Sequence, residues 1–463
     1  MSTIEVTSPF DGKVVGTVPF SSYEEVETAI DLAHKTFLDT DNWLPKYKRI
    51  EILENVMKIM SSRVEELTIL CASEGGKPYI DSKVEIHRAI NGIKIAIEHL
   101  GAYEGKEIAM GHTASSANRM AYTFKEPIGV VAAISAFNHP FNLAVHQVIP
   151  ALAVGCPVII RPATQTPMSA IELVKILEEA GLPKGWAQAI VCDRRGGELL
   201  ATSPKTNFLT FIGSGPVGWY LNSKVSPGTR VALEHGGVAP VIVEADADIE
   251  DMIPALAKGG FYHAGQVCVS VQRVYVHESI CDEVATKLTA AAKKLIVGDQ
   301  LDSKTEVGPL INNDEVNRVE EWVNEAKEKG GKILTGGKRI SASCYEPTVI
   351  LNPSDDALVS TKEVFGPVVC IYSYKTLDEA IARANSLDVS FQAAVFTKNI
   401  DSAFKSVKRL NATAVMVNDH TAFRVDWMPF GGARVSGLGM GGIPHSMEEM
   451  SNEKMMVIKS AVL

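Results

Sequence analysis

The sequence predicts an α/β protein built around two mainly parallel sheets. Short apolar runs alternate with helical segments from about residue 128 onward, which is the pattern of parallel strands joined by helical crossovers. A second round of this alternation begins after Gly237, so the two sheets divide near that residue. The opening of the chain is helix-rich instead, because its apolar residues recur at helical spacing. No clean repeat of about 20 to 50 residues occurs, which argues against a solenoid.

Three long helices are predicted first, over residues 23–38, 49–73 and 79–100, and Gly75-Gly76 stops the second of them. Predicted strands then cover 120–124, 128–137, 157–160, 187–191, 208–212, 231–234, 241–244, 271–276, 368–371, 393–396 and 414–418. Predicted helices between them cover 168–180, 197–201, a segment from 216, 249–259, 281–295, 315–329, 377–385 and 402–410.

The composition is that of an ordinary globular protein. At about 150 residues per domain, 463 residues suggest two to three domains. The formal net charge of −10 gives no general attraction to nucleic acid or anionic lipid. The best apolar stretch, 148–160, is broken by Pro150, Gly155 and Pro157, so it predicts a buried helix and then a strand. The first residues lack the basic and apolar regions of a secretory signal.

The cysteines favour a reducing compartment, which we expect to be the cytoplasm. They lie far apart, no C-x-x-C occurs, and their number is odd, which argues against a disulfide framework or a structural zinc site. We expect no bound metal, and about six of the seven cysteines should be small buried hydrophobic residues. Their positions are 71, 156, 192, 268, 281, 344 and 370.

Residues 213–218, Gly-Ser-Gly-Pro-Val-Gly, match G-x-G-x-x-G between a predicted strand and a predicted helix. The glycines permit a tight turn, and the amides at a helix N-terminus favour a pyrophosphate. A plain strand–turn–helix explains the pattern equally well, and the motif lies late in the chain for a dinucleotide fingerprint. By the usual rule, the acidic residue about 20 positions further on, Glu234, would hold a ribose.

Other positions have both a chemical and a structural interpretation. Cys268 lies in a Gly-containing break, where a thiol is accessible, although a buried cysteine is the alternative. Glu234 precedes Gly236-Gly237 at a strand end and is either a general base or part of a turn. Asn138 follows an apolar strand, and its amide either stabilises an oxyanion or caps a helix. Residues 362–367 alone indicate only a turn with a buried Phe.

In this order and spacing, the motifs resemble those of the aldehyde dehydrogenase superfamily over essentially the whole chain. The resemblance runs from Ser-Pro-Phe-Asp-Gly at 8–12 to Pro-Phe-Gly-Gly at 429–432 and Ser-Gly-Leu-Gly at 436–439. Within the superfamily the chain is similar to the branch of lactaldehyde and phosphonoacetaldehyde dehydrogenases. The resemblance implies a Rossmann-type cofactor domain, an α/β catalytic domain and a β oligomerisation arm.

The resemblance also implies NAD(P)-dependent oxidation of an aldehyde to its acid. Cys268 would attack the carbonyl to give a thiohemiacetal and then a thioester, with Asn138 and the Cys268 backbone N–H holding the oxyanion. Glu234 would activate the water that hydrolyses the thioester. This role replaces the ribose contact that the G-x-G-x-x-G rule gave to Glu234, because this family binds its dinucleotide differently from ordinary Rossmann enzymes. A base here also disfavours a CoA-acylating mechanism. Gly441 stands where a Glu often assists proton movement.

For the cofactor, the resemblance places Glu363 on the nicotinamide ribose and Phe365 beside the nicotinamide. Where the family usually has Lys-Pro-Ser-Glu, residues 161–164 are Arg-Pro-Ala-Thr. A glutamate would repel a 2′-phosphate, so its absence predicts that both NAD and NADP work, with a mild lean to NADP. The full set of expected contacts is Ile134, Ser135, Arg161, Thr164, Gly213, Ser214, Val217, Gly218, Gly236, Glu363 and Phe365.

For the substrate, Arg88 and Arg424 resemble the anion-holding positions of phosphonoacetaldehyde dehydrogenase, and His139, a further expected pocket residue, replaces a common Phe of the family. Arginine forks suit phosphonate, sulfonate or carboxylate, although a structural ion pair is the alternative for each arginine. Arg119 is a further candidate, and Val267 stands where that enzyme carries another Arg. We therefore expect a short anionic aldehyde of the phosphonoacetaldehyde, sulfoacetaldehyde or semialdehyde type. The alternatives are a neutral aldehyde of the lactaldehyde or glycolaldehyde type, and a non-catalytic protein of this fold.

The resemblance finally divides the chain into domains. Residues 1–118 and 139–236 would form the cofactor-binding domain and 237–418 the catalytic domain, with 419–444 returning to the cofactor domain and the cleft. Residues 119–138 and 445–463 would form the oligomerisation arm. The apolar tail from Met455 to Leu463 would add a strand to a neighbour's sheet, giving a homodimer or homotetramer.

Overall fold

The computed structural model describes residues 2–463. Its helices are α1 Tyr23–Leu38, α2 Lys46–Ser62, α3 Val64–Gly75, α4 Tyr79–Gly101, α5 Pro140–Val154, α6 Met168–Glu179, α7 Arg194–Thr202, α8 Gly215–Asn222, α9 Ile249–Phe261, α10 Cys281–Ala292, α11 Asn313–Glu328, α12 Leu358–Thr361, α13 Leu377–Ala384, α14 Ile400–Arg409 and α15 Ile443–Glu449. Its strands are β1 Ser2–Thr7, β2 Val14–Phe20, β3 Glu107–Ile108, β4 Arg119–Pro127, β5 Val131–Ile134, β6 Val158–Arg161, β7 Ala187–Ala189, β8 Phe208–Ile212, β9 Arg230–Glu234, β10 Pro240–Val243, β11 Arg273–His277, β12 Lys332–Thr335, β13 Thr348–Leu351, β14 Val368–Tyr374, β15 Val389–Ser390, β16 Gln392–Phe396, β17 Ala414–Val417, β18 Ala433–Arg434, β19 Gly437–Leu438 and β20 Ser451–Lys459.

A six-stranded sheet in the order β19-β9-β8-β5-β6-β7 forms the first half of the fold, and only β19 runs antiparallel to its neighbour. Helix α5 packs against it and is buried along its whole length. Because β5, β8 and β9 are parallel, their carboxyl ends reach the same edge of the sheet, where α/β proteins bind their ligands. The predicted buried helix and strand within residues 148–160 are confirmed as the end of α5 and the start of β6.

A seven-stranded sheet in the order β12-β13-β14-β11-β10-β16-β17 forms the second half, and only β12 is antiparallel. It begins with β10, a few residues after β9 ends the first round of parallel strands. The prediction of two α/β sheets divided near residue 237 is therefore confirmed. Strands β10, β11 and β14 lie at the centre of its hydrophobic core.

A small antiparallel sheet in the order β20-β4-β3 contains the C-terminal tail. Strand β20 pairs with β4 of its own chain from Ser451↔Pro127 to Lys459↔Arg119 and keeps its other edge free, so the expected addition of the tail to a neighbour's sheet stays a prediction. The segment 119–138 predicted for the oligomerisation arm was too long. Residues 131–134 form β5, which is hydrogen-bonded between β6 and β8 in the six-stranded sheet.

Most predicted elements are present, and the exceptions have local causes. The predicted helix 49–73 is two helices, because Arg63 leaves helical geometry at φ −117° and ψ 19°. Its guanidinium instead contacts Glu66 and Glu172, each at 2.6 Å, and so ties α3 to α6. The hairpin of β1 and β2 was not predicted, since most of its side chains are exposed and give no clear alternation. No helix within residues 2–463 is long and apolar enough to cross a membrane.

Candidate active site

A cleft of about 630 Å³ opens at the carboxyl edge of the six-stranded sheet. The loops after β5, β6, β8 and β9 form one wall, and the segments around Cys268, Glu363 and Arg424 form the other. The cleft thus brings together the three predicted catalytic residues, because Asn138 and Glu234 line it with Cys268. These residues come from distant parts of the sequence. The ends of β5 and β9 bring Asn138 and Glu234 to this edge, and the segment between α9 and β11 brings Cys268 there.

Cys268 reaches the cleft through a left-handed turn. His263, Ala264 and Gly265 have φ of 50°, 53° and 70°, which costs non-glycine residues about 1–2 kcal/mol each. A Cβ on Gly265 would lie 2.1 Å from the carbonyl oxygen of Gly366, so only glycine fits there. Strained backbone of this kind clusters at functional sites. Cys268 is partly exposed, whereas the other six cysteines are buried, as expected for them.

The surroundings of the Cys268 thiol keep it protonated in this state. Burial raises the pKa of the thiol to about 12, and the Glu363 and Glu234 carboxylates raise it further, while the Arg424 charge opposes them. A thiol must lose its proton to act as a nucleophile. The site therefore needs a base close to Cys268.

Asn138 is fixed beside the nucleophile loop with one amide hydrogen left over. Its Nδ2 donates to the carbonyl oxygen of Gln266 at 2.9 Å, and an asparagine amide has two hydrogens. Gln266 is itself held, since its Oε1 accepts from the Ile311 backbone N–H at 2.9 Å. Among residues 2–463, the Cys268 backbone N–H donates to no other residue. Two N–H groups are thus free to stabilise an oxyanion.

Glu234 ends β9, and its carboxylate has no hydrogen-bond donor in the described chain. Burial raises its pKa, and the Arg424 charge opposes that shift. A Cβ on Gly441 would lie 2.2 Å from Glu234 Oε1. The carboxylate therefore occupies the space that a side chain at position 441 would need, and it has the raised pKa that suits a general base.

Glu363 and Phe365 lie at the other end of the cleft. Glu363 Oε1 is buried without a partner among the described residues, and burial raises the pKa of this carboxyl to about 8. A Cβ on Gly236 would lie 1.9 Å from that oxygen. Phe365, with φ 46°, meets Phe137 edge-on at 5.8 Å between ring centroids. A buried acceptor of this kind is satisfied when a ligand hydroxyl donates to it.

The turn from β8 into α8 carries the G-x-G-x-x-G residues. Ser214 is the N-cap of α8, and its hydroxyl makes no capping bond, so both the hydroxyl and the helix amides can bind a ligand. Gly213 and Val217 also line the cleft. Gly218 does not line it, because a Cβ there would lie 2.1 Å from the His235 ring. We therefore correct the expected cofactor contact at Gly218: it makes room for His235, whose Nδ1 donates to the Gly213 carbonyl at 2.9 Å.

The remaining predicted cofactor positions surround the ends of β5 and β6. Ile134 and Ser135 line the cleft, and the Ser135 hydroxyl is buried without a partner in the described chain. Arg161 Nη2 donates to the Cys192 carbonyl at 3.0 Å, while its Nε is free of protein partners there. Thr164 is exposed at the cleft rim. Together with Glu363 and the α8 amides, these donors and acceptors fit a nicotinamide dinucleotide.

The two arginines predicted for the substrate have different environments. Arg88 forms a bidentate pair with Asp426, with Nη2–Oδ1 at 2.6 Å and Nε–Oδ2 at 3.2 Å. Asp426 also accepts from His146 Nε2 at 2.8 Å. Burial opposes ionisation of Asp426, yet His146 and Arg88 hold the pKa of its carboxyl well below the usual range. Arg88 lines the cleft, but Asp426 cancels its charge.

Arg424 has no such partner. It forms no salt bridge with any carboxylate of residues 2–463, and its Nε is buried without a hydrogen bond there. Its guanidinium carbon lies 3.5 Å above the Phe430 ring, and its Nη2 is 3.3 Å from His146 Nδ1. Burial lowers the pKa of Arg424, which nevertheless remains charged, since arginine does not deprotonate in proteins. The cleft therefore contains a guanidinium without a salt-bridge partner in the described chain, on which the Glu234 charge acts only from a distance.

His139 lines the cleft as predicted and contacts the hydroxyl of Tyr262 through its Nε2. Burial lowers the pKa of His139 well below its usual value, and nearby cations lower it further, so the ring is neutral. Arg119, the further candidate, is wrong as a cleft residue. It starts β4 outside the cleft, and its guanidinium donates to the carbonyl oxygens of Ser115 and Ala117.

Several polar residues of the cleft and its support were not predicted. On α5, Asn142 and His146 are four residues apart in a helix whose other residues, except Gln147, are apolar, and that contrast could have identified them. On α11, Arg318 forms a salt bridge with Glu315 at 2.6 Å, and its guanidinium carbon lies 4.7 Å from the centre of the Trp322 ring. Residues three and four apart lie on one face of a helix, so this sequence spacing could also have identified them. The full set is Asn142, His146, Tyr262, Glu315, Arg318, Trp322 and Asp426.

Proteins of known name resemble this chain along nearly its full length. A 3-sulfolactaldehyde dehydrogenase of Priestia aryabhattai is 39% identical over 456 residues, which cover 98% of this chain and 94% of that protein. A lactaldehyde dehydrogenase of Methanocaldococcus jannaschii is 38% identical over 460 residues, covering 98% of this chain and 97% of that protein.

Solved structures of aldehyde dehydrogenases also resemble this chain along nearly its full length. Aldehyde dehydrogenase 21 of Physcomitrella patens, in complex with the reaction product succinate, has a TM-score of 0.96 and 35% identity, covering 99% of this chain and 95% of that one. Glyceraldehyde-3-phosphate dehydrogenase GapN of Methanocaldococcus jannaschii, complexed with NADP, has a TM-score of 0.94 and 37% identity, covering 99% of each chain. The profile of the aldehyde dehydrogenase family matches residues 1–456. This protein therefore belongs to the aldehyde dehydrogenase family and is an oxidoreductase that acts on aldehydes with NAD or NADP.

Proposed function

We propose that the protein oxidises a small anionic aldehyde to its carboxylic acid. The observation that carries this proposal is Arg424, a buried guanidinium without a salt-bridge partner in the described chain, in the same cleft as Cys268 and Glu234. A buried cation without a counter-ion is costly, and an anionic ligand removes that cost. The relatives named above support the proposal, because sulfolactaldehyde and the succinate product carry a sulfonate and carboxylates.

Cys268 is the nucleophile of this reaction. Its sulfur forms a bond to the aldehyde carbon, and the thiol proton passes to solvent. The carbonyl oxygen becomes an oxyanion, which accepts the free N–H of Asn138 and the Cys268 backbone N–H. The product of this step is a thiohemiacetal on Cys268.

The dinucleotide-binding residues of the chain orient the next step. The nicotinamide, when bound, supplies the hydride acceptor. Glu363 would accept a hydrogen bond from a ribose hydroxyl through its unpartnered Oε1, and Ser214 with the α8 amides would hold phosphate oxygens. Loss of hydride converts the thiohemiacetal into a thioester on Cys268.

Glu234 completes the reaction as a general base. Its buried carboxylate takes a proton from water, the water oxygen bonds to the thioester carbon, and the carbon–sulfur bond breaks. The acid leaves and the Cys268 thiolate is regenerated. Gly441 provides the space that this carboxylate occupies.

NADP is the cofactor that we expect to be slightly preferred. Thr164 offers no carboxylate to repel a 2′-phosphate, and Arg161 has an Nε free of protein partners in the described chain. The GapN structure complexed with NADP supports this lean. Steady-state kinetics with each cofactor test it: comparable kcat/KM values, modestly higher for NADP, are expected, whereas a large preference for NAD would contradict it.

A neutral hydroxyaldehyde is the second candidate substrate. The paired His139 ring and Tyr262 hydroxyl offer polar groups suited to a substrate hydroxyl, and the lactaldehyde dehydrogenase relative supports this candidate. A substrate panel decides between the two: phosphonoacetaldehyde, sulfoacetaldehyde, succinate semialdehyde, lactaldehyde, glycolaldehyde and hexanal. We expect kcat/KM to be at least about tenfold higher for the anionic aldehydes, a gain equivalent to one charge-assisted hydrogen bond.

Two variants make the panel specific. Arg424→Ala should remove the advantage of the anionic aldehydes, while Arg119→Ala, a partly exposed control outside the cleft, should keep it. Equal turnover of hexanal, or an unchanged preference in Arg424→Ala, would reject an anionic substrate. Absence of activity in both wild type and Cys268→Ser would favour the non-catalytic alternative.

We also propose a cytoplasmic homodimer or homotetramer. Seven free cysteines favour a reducing compartment. Strand β20 is an edge strand, and Met455, Met456, Val457 and Ile458 on it are between 42% and 55% exposed, which supports an interface there. Light scattering after size exclusion tests the assembly, and a monomer at micromolar concentration would contradict it. The domain boundaries other than the corrected arm remain predictions.

A further inference from the structure

The two cleft arginines are held by acceptors of different charge. Asp426 binds Arg88 through two hydrogen bonds and neutralises it. Arg424 instead has a ring nitrogen of His146 at 3.3 Å and the face of Phe430 at 3.5 Å. Neither of these groups carries a negative charge. Arg424 is therefore fixed in place while its charge stays available.

Asp426 determines which nitrogen of His146 carries the proton. An ionised carboxylate only accepts hydrogen bonds, so His146 Nε2, 2.8 Å from Asp426 Oδ1, must be the donor. Burial and the Arg424 charge lower the pKa of His146 to about 4, which leaves the ring neutral at physiological pH. Nδ1 then has a lone pair, and Arg424 Nη2 donates to it. The chain of contacts runs from Asp426 through His146 to Arg424.

We infer that His146, oriented by Asp426, is the positioning residue that holds the anion-binding guanidinium of Arg424 without cancelling its charge. His146 is 6% exposed and lies behind the cleft surface, so it acts on a ligand only through Arg424. This inference rests on the proposed function, because it gives the means by which the anionic group is recognised. A carboxylate in place of His146 would neutralise Arg424, and an apolar residue would leave Nη2 without this acceptor.

The test compares three substitutions at position 146 with a control elsewhere. His146→Phe removes both ring contacts, His146→Asn keeps an oxygen near the Nδ1 position, and His146→Gln keeps only a group near the Nε2 position. His34→Phe, on α1 away from the cleft, is the matched control for replacing a histidine by Phe. Each protein is assayed with succinate semialdehyde and with glycolaldehyde, and KM and kcat are determined separately.

For succinate semialdehyde we expect KM to rise by about 10- to 100-fold in His146→Phe and His146→Gln, with kcat within about twofold of wild type. Kinetics with glycolaldehyde should change little, because that substrate has no anionic group. His146→Asn should restore KM to within a few fold of wild type. If His146→Phe does not fold, the difference between the Asn and Gln variants carries the test.

The outcomes separate this inference from the proposed function. If Arg424→Ala loses the preference for succinate semialdehyde but all three His146 variants keep it, the positioning role is wrong and the proposed function stands. If Arg424→Ala itself keeps the preference, the proposed anionic substrate is wrong. Equal losses for both aldehydes in the His146 variants would indicate a merely structural role and overturn the inference.

Discussion

The two ends of the cleft are constructed in different ways. The dinucleotide end is formed largely by turns that follow the strands of the six-stranded sheet, with a glycine-rich turn between β8 and α8 and glycines after β9. The aldehyde end is assembled from side chains on α4, α5 and residues 424–426, and its Arg88–Asp426 pair joins positions 338 residues apart. Motifs therefore describe the first end well. The charge of the second end depends on which side chains pair after folding.

The largest expected effect concerns the chemistry between the two ends. Cys268→Ala should abolish aldehyde oxidation, and Glu234→Gln should lower kcat by about 10²- to 10⁴-fold, the range of general-base catalysis. If Glu234 acts on the thioester, Glu234→Gln should still release one equivalent of reduced cofactor per active site before it stops. Stopped-flow absorbance measures that burst, and mass spectrometry of the trapped protein detects the acyl group on Cys268.

Cys268→Ala is the control for that experiment and should give no burst. A Glu234→Gln variant without a burst would place Glu234 before hydride transfer rather than after it. Either result shows whether Glu234 acts only in hydrolysis of the thioester at the aldehyde end or is also needed before hydride leaves for the dinucleotide end.

A smaller loss is expected from Gly441→Ala. The added Cβ would lie 2.2 Å from Glu234 Oε1 and 2.8 Å from the Phe430 carbonyl oxygen, so the carboxylate must move. Displacing a catalytic group by about 1 Å can cost about 10²-fold in rate. We expect kcat to fall by about 10- to 100-fold with little change in the KM for NADP. Gly101→Ala, where the new Cβ meets nothing within 4 Å, is the control; a wild-type rate in Gly441→Ala would contradict the assigned place of Glu234.

The sequence anticipated the fold and the dinucleotide end better than the aldehyde end. Glu234 and Asn138 lie in short motifs at or just after the carboxyl ends of parallel strands, which meet at one edge of the sheet, and Cys268 lies in a glycine-containing turn after α9. Gly218 was misassigned because a glycine pattern does not reveal that His235 fills the space beside it. No local signal distinguishes the paired Arg88 from the unpaired Arg424, because Asp426 is two residues from Arg424 in sequence yet binds Arg88.

The electrostatic field at Cys268 gives a third prediction. Because burial and the carboxylates raise its pKa to about 12, alkylation by iodoacetamide without cofactor should have a midpoint above that of an ordinary thiol at about pH 8.5. Glu363→Gln should lower the midpoint, since it removes a negative charge that disfavours the thiolate. Arg424→Ala should raise it for the opposite reason.

The other cysteines are buried, so native alkylation reports on Cys268, and Cys268→Ala provides the blank. Glu453→Gln, an exposed carboxylate on β20, is the charge control and should leave the midpoint unchanged. A midpoint near pH 8.5 in all variants would mean that neither Glu363, at the dinucleotide end, nor Arg424, at the aldehyde end, shifts the pKa of the Cys268 thiol.

The smallest effect distinguishes among the anionic substrates. At the aldehyde end Arg88 and Asp426 cancel, and His139 and His146 are neutral. Arg424 is then the one cation at this end without a salt bridge in the described chain, while the Glu234 charge opposes any further negative charge there. One charge matches a sulfonate or carboxylate, whereas a dianionic phosphonate would leave a buried excess negative charge. At pH 8 we expect sulfoacetaldehyde to exceed phosphonoacetaldehyde in kcat/KM by about three- to tenfold, less than the worth of a full charge-assisted hydrogen bond. Because a phosphoryl group takes up its second proton at a pKa of about 6, the ratio should approach one at pH 5.5. Succinate semialdehyde, a monoanion at both pH values, is the reference, and a phosphonate preferred at pH 8 would mean that Arg88 contributes its charge despite Asp426.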